Sequence, residues 1–172
     1  LLDGVTVVDG AVVPTKFFKG SGPAQPYLTH GLMGVLAAAP KSVFDRDQVT
    51  QVNLTLLAPT YAQKATDVPQ ALPYLGAFPK VQSIALRSLP QVDLGLLSGL
   101  NDLTSLDLTG CTAASGGDVL ATLPALTRLN LSSAQGVALT TLDAIEDLNL
   151  RGTALTDLDA VSDMTTLTKL DL

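Results

Sequence analysis

The stretch Leu148-Asn149-Leu150-Arg151-Gly152-Thr153-Ala154-Leu155-Thr156-Asp157-Leu158 continues through Val161, Met164 and Leu167 to Leu170-Asp171-Leu172. It is the best-formed unit of a pattern that returns through the second half of the chain. An apolar–x–apolar triplet appears at Ile84-Ala85-Leu86, Leu106-Asp107-Leu108, Leu129-Asn130-Leu131, Leu148-Asn149-Leu150 and Leu170-Asp171-Leu172, at steps of 22, 23, 19 and 22 residues. An earlier copy, Val52-Asn53-Leu54, lies 32 residues before Ile84, and a proline-containing insertion (Pro59, Pro69, Pro73, Pro79) separates the two. Each triplet reads as a short strand with two apolar side chains turned inward. Equivalent strands of successive coils then pair into a parallel sheet at a spacing of about 4.8 Å. One coil cannot bury its apolar face alone, so stability has to come from stacking on its neighbours.

Composition agrees with thin stacked layers. Of the 172 residues 47% are hydrophobic and 15% charged, which excludes a disordered chain, while aromatics make up 4% and Trp is absent, so the core must be aliphatic. The net charge of −6 arises after residue 48, because Lys16, Lys19, Lys41 and Arg46 balance Asp3, Asp9, Asp45 and Asp47 before it. An acidic second half repels phosphate backbones, so direct nucleic-acid binding is not expected. Glu146 is the only Glu, and the many Asp suit tight turns. A single cysteine, Cys111, excludes an internal disulfide framework and a cysteine-based zinc site, and it points towards a reducing, intracellular compartment. No apolar run reaches the ~18 residues of a membrane span.

The triplets and their flanks resemble the leucine-rich-repeat family, L-x-x-L-x-L-x-x-N/C/T-x-L, over roughly residues 49–172. The resemblance implies an α/β solenoid: a horseshoe with one short parallel strand per coil, little helix and about six coils, incomplete at the C-terminus. The spacing, with Gly110-Cys111 and Gly152-Thr153 after the strands, is similar to the short 22-residue subtype of internalin-like surface proteins, phosphatase-regulatory repeat proteins and trypanosomatid repeat proteins. The family's ladder position falls on Cys111 and Thr153, where a buried polar side chain satisfies backbone groups. Leu57, Leu89 and Ala134 depart from it, and irregular turns are expected there.

Residues 1–48 do not repeat and read as an N-terminal cap. Val5–Val13 suggests a hairpin around Asp9-Gly10, ended by Pro14, and Leu28, Leu32, Val35 and Leu36 mark a short helix closed by Pro40. A terminal coil needs such a cover. At the other end an apolar layer and a strand edge stand open at Leu172, so further repeats or a covering partner are expected. The start at Leu1 fits a piece of a longer product.

No constellation for catalysis or cofactor binding emerges. Gly20-Ser21-Gly22 lacks the continuation of a phosphate loop, and His30 has no ligand or triad partners. Asp143, Glu146 and Asp147, like Asp157, Asp159 and Asp163, fit no calcium loop and read as solvated turn carboxylates. The sequons Asn53-Leu54-Thr55 and Asn130-Leu131-Ser132 fall on strands and read as accidental. The surface best suited to a partner is the concave sheet face, with Arg87, Asp107, Arg128, Asn130, Asn149, Arg151, Lys169 and Asp171 as candidate partner-binding residues. A non-enzymatic protein–protein interaction module, a scaffold or subunit of a larger assembly, is the expected function. The alternatives are an extracellular adhesion protein of the internalin kind and, behind it, the regulatory part of an enzyme.

Overall fold

The computed structural model describes residues 5–8, 11–14, 47, 49–53, 69–137, 139, 142–154 and 159–172. Ten strands are set out along them: β1 (Val5–Val8), β2 (Ala11–Pro14), β3 (Gln51–Asn53), β4 (Ser83–Ala85), β5 (Val92–Asp93), β6 (Ser105–Asp107), β7 (Ala113–Ser115), β8 (Arg128–Asn130), β9 (Asp147–Asn149) and β10 (Lys169–Asp171). Eight of them form one sheet in the order β1-β2-β3-β4-β6-β8-β9-β10, and β5 and β7 form another. From β2 onward the large sheet is parallel, and the apolar residue of each triplet stands opposite its equivalent: Val52 with Ile84, Ile84 with Leu106, Leu106 with Leu129, Leu129 with Leu148, Leu148 with Leu170. This is a leucine-rich-repeat-like solenoid with little helix. Its one described α-helix is the single turn Asp159–Ser162.

The arm that returns to each strand has a period of three. Leu75, Phe78 and Val81 lead into β4; Leu97, Leu100 and Leu103 into β6; Leu120, Leu123 and Leu126 into β8; all are buried. In each triplet the amide of the later residue bonds to the carbonyl three positions back, at 3.0–3.4 Å. A 3₁₀ turn has three residues per turn, so every third side chain faces the same way. The arms therefore meet two demands at once. They bury one apolar side chain per turn, each contributing about 1.5–3 kcal/mol, and they pair the backbone groups of those buried residues with one another. Part of the insertion before β4 belongs to this scheme: Pro69–Ala77 is 3₁₀, and Leu75 and Phe78 lie in the core.

Strand entry repeats as well. The carbonyls of Thr50, Gln82, Thr104, Thr127 and Glu146 each accept two successive amides from the next coil, as Thr104 does from Thr127 and Arg128 at 3.1 and 3.0 Å. The Thr104, Thr127 and Thr168 hydroxyls add a bond to the same carbonyl of the preceding coil, at 3.0–3.3 Å.

At the strand exits Cys111 donates its thiol to the Leu86 carbonyl of the previous coil, and the Thr153 hydroxyl donates to the Leu150 carbonyl at 2.7 Å. The irregular turn expected at Ala134 is not found. Its amide bonds to Leu131 O at 2.8 Å, as Cys111 does to Leu108 O (3.0 Å) and Thr153 to Leu150 O (3.1 Å). The turn is made by backbone groups, so an alanine side chain leaves it intact. Leu89 is buried at its equivalent position, and Leu57 lies outside the described residues.

β1 and β2 pair antiparallel, and β2 continues in parallel onto β3. The helix expected around Leu28–Leu36 lies outside the described residues, as do His30 and Gly20-Ser21-Gly22.

Candidate functional site

Because side chains alternate across a strand, the residues on either side of each strand's central apolar residue form two columns on the solvent face of the large sheet. One column runs Gln51, Ser83, Ser105, Arg128, Asp147, Lys169, and its members are exposed or half-buried; in the other, Ala85, Asp107, Asn130, Asn149 and Asp171 are half-buried. All eight candidate residues lie on this face or just beyond the strands' ends.

The structure divides the candidates by what their polar atoms already do. Oδ1 of Asp107 accepts from the Thr109 amide, Oδ1 of Asn130 from the Ser132 amide and Oδ1 of Asn149 from the Arg151 amide, each at 3.0 Å. These are Asx turns. They stitch the end of each strand to its exit, so the Oδ1 atoms serve the fold.

The basic candidates divide too. Arg87 reaches forward one coil, Nε to Oδ2 of Asp107 at 2.7 Å. Lys169 reaches back one coil to Asp147, Nζ to Oδ2 at 3.0 Å and to Oδ1 at 3.2 Å. Arg151 Nε stands 3.9 Å from Oδ1 of Asp171. Arg128, exposed at the start of β8, forms no ion pair among the described residues. Its register neighbours are Ser105 and Asp147, and Asp147 is held from its other side by Lys169.

Burial draws the Asp107 carboxyl upwards, but the hydroxyl and amide of Thr109 and the Arg87 guanidinium together outweigh it and hold the group below its ordinary value. The Thr109 hydroxyl is 2.6 Å from Oδ1. Asp107 is thus a fixed carboxylate. Over β6, β8, β9 and β10 the face dips into a shallow depression of about 240 Å³, lined among others by Ser105, Asp107, Arg128, Asn130, Asn149 and Lys169. Arg87, Arg151 and Asp171 are not part of its lining. Asp147, which the sequence groups with the solvated turn carboxylates, stands instead in β9, paired with Lys169, and lines the depression as well.

Asp143, Glu146, Asp159 and Asp163 are exposed, and among the described residues no group of three His, Cys, Asp or Glu is placed to hold a metal ion. Cys111 is buried and has its thiol pushed up by that burial. No helix among the described residues is long and apolar enough to cross a membrane.

No protein-family model matches the chain, and no curated relative does. Among solved structures, an internalin (inlF) of Listeria monocytogenes is similar at 14% identity and a TM-score of 0.42, over 74% of this chain and 49% of its own. Internalin C2 of the same organism is similar at 14% identity and a TM-score of 0.48, over 88% of this chain and 78% of its own. The chain thus spans about half the length of the first of these internalins.

Proposed function

We propose that this chain is a non-enzymatic protein–protein interaction module, a scaffold or subunit of a larger assembly, which binds its partner on the solvent face of the large sheet. In this reading the coils curve into a horseshoe of the short 22-residue type with that face concave, and residues 1–48 cap the first coil. The pairing of β2 onto β3 supports the cap. The observation that carries the functional reading is the organisation of the face. Asp107, Asn130 and Asn149 are fixed by Asx bonds, and Asp107 and Asp147 by ion pairs between coils, before any partner arrives. A surface ordered in advance loses little side-chain freedom on binding.

The test is capture of the full-length protein at its native level, with sizing of the complex, for the wild type and for Ser105→Tyr. Tyrosine at this half-buried position fills the depression without changing the charge. A stoichiometric complex that Ser105→Tyr disrupts is the expected result. A complex indifferent to that variant moves the interface off this face.

A further inference from the structure

Charge is unevenly divided over the coils from β4 onward. The basic residues after Val81 are Arg87, Arg128, Arg151 and Lys169, and every one lies in a strand of the large sheet or two residues beyond its end. Among the described residues the acids Asp93, Asp102, Asp118, Asp143, Asp159 and Asp163 lie off the strands of the large sheet, Glu146 stands at the entry to β9, and Asp107, Asp147 and Asp171 accompany the bases on the face. Each of these three has a base of a neighbouring coil beside it: Arg87 for Asp107, Lys169 for Asp147 and Arg151 for Asp171. Among the described residues one of these cations forms no ion pair: Arg128, in the lining of the depression.

The hydrogen-bonding groups around it share a sense. Oδ1 of Asn130 and of Asn149 already accepts a backbone amide, while both Nδ2 hydrogens of each remain to be donated. The guanidinium of Arg128 is purely a donor, and the Ser105 hydroxyl can donate beside it. The acceptors within reach, the carboxylates of Asp107 and Asp147, are already answered by bases. A concave patch of donors with one surplus positive charge fits an acceptor that carries negative charge, and a guanidinium fork matches a carboxylate in two parallel bonds.

We infer that the depression around Arg128 docks an acidic segment of a protein partner, with an Asp or Glu carboxylate on the Arg128 guanidinium and the amides of Asn130 and Asn149 beside it. The inference rests on the sheet face being the binding surface and adds the partner's chemistry. The acids on the returns repel such a segment, so the charge pattern also sets which face it approaches.

The test is peptide-display selection on the full chain, followed by fluorescence anisotropy of the enriched peptides against wild type, Arg128→Gln, Arg128→Lys and Ser105→Tyr. Melting curves check that the variants fold, and Lys80→Gln, off this face, serves as the control. The expected result is enrichment of Asp- and Glu-rich peptides whose affinity falls about tenfold or more in Arg128→Gln. Arg128→Lys restores part of the loss, and Lys80→Gln changes nothing. Peptides that lose binding in Ser105→Tyr but bind Arg128→Gln as well as wild type overturn the inference and leave the face as the binding surface. Peptides indifferent to both variants overturn both readings. A selection that enriches no acidic peptide, or displacement of the peptide by equimolar inorganic phosphate, overturns the acidic-segment assignment.

Discussion

Oδ1 of Asp107 and Oδ1 of Asn130, one coil apart, each accept the amide two residues further on, at 3.0 Å in both. Asn149 repeats the bond in the next coil. What this position needs is a carbonyl-type oxygen on a short side chain, and a charge is incidental to it. The charge of Asp107 has a separate use, because Arg87 of the preceding coil bonds its other oxygen.

Asp107→Asn and Asp107→Ala separate the two uses. Asparagine keeps the turn and loses only a surface ion pair, so its cost at neutral pH is below about 1 kcal/mol. Alanine leaves the Thr109 amide without its acceptor and costs about 1–2 kcal/mol. The Asp107 carboxyl lies below its ordinary value in the fold. Its charge therefore stabilises above the unfolded value of about 3.9, and the contribution is lost as pH falls through the folded value. Urea titrations at neutral pH and near pH 3 should show the gap between wild type and Asp107→Asn closing on acidification. A gap that widens would contradict the assignment.

Cys111 sits in the core with its thiol on the Leu86 carbonyl, and burial raises the thiol above its ordinary value. The thiolate is the reactive form, so native protein at neutral pH should react with a disulfide reagent only as fast as the coils open, and at once in urea. Labelling of folded protein at the rate of a free thiol would show that the ladder position is open to solvent.

The strands were legible in the sequence because their apolar triplets are the repeat: β4, β6, β8, β9 and β10 start one residue before Ile84, Leu106, Leu129, Leu148 and Leu170. The division of labour on the face was not. An Asx bond joins a side chain to the amide two residues on, and only the turn geometry brings them together. Arg87 meets Asp107 and Lys169 meets Asp147 because coils stack in register, and a list of outward residues does not contain that register. The pairing of β5 with β7 went unread for the same reason, since Val92-Asp93 and Ala113–Ser115 match no triplet. The sequence does carry a signal for strand entry: Thr50, Thr104, Thr127 and Thr168 recur two residues before the central apolar residue of their strands.

The exit turns test how well each coil suits its backbone. Equivalent residues Ser88, Gly110, Ser133 and Gly152 all have positive φ, at 58°, 66°, 55° and 64°. A side chain in this region costs about 1–2 kcal/mol, and the entropy that glycine loses on folding offsets part of the gain from removing it. Ser133→Gly should therefore stabilise by about 0.5 kcal/mol and Gly110→Ala destabilise by about 1 kcal/mol. A Cβ on Gly110 would meet no atom closer than Ser88 Oγ at 3.5 Å, so backbone conformation is the whole of its cost. Melting temperatures that move in the same direction for both variants would refute this.

Gly116 carries a second burden. Like Gly110 it has positive φ, 80°, but a Cβ there would stand 2.4 Å from the Gly95 nitrogen and 3.0 Å from the Leu94 carbonyl carbon, in the 3₁₀ segment Leu94–Leu97 of the previous coil. These are backbone atoms, and Leu94 is fully buried, so no rotamer change can relieve the contact. The coils have to separate on the side where β5 and β7 pair and where Asp93 holds the Ser115 hydroxyl at 2.9 Å. Gly116→Ala should cost about 3 kcal/mol or more, several times the loss in Gly110→Ala. Equilibrium urea unfolding of the two variants side by side measures the difference. Equal losses would mean that the coils are not in contact at Gly116.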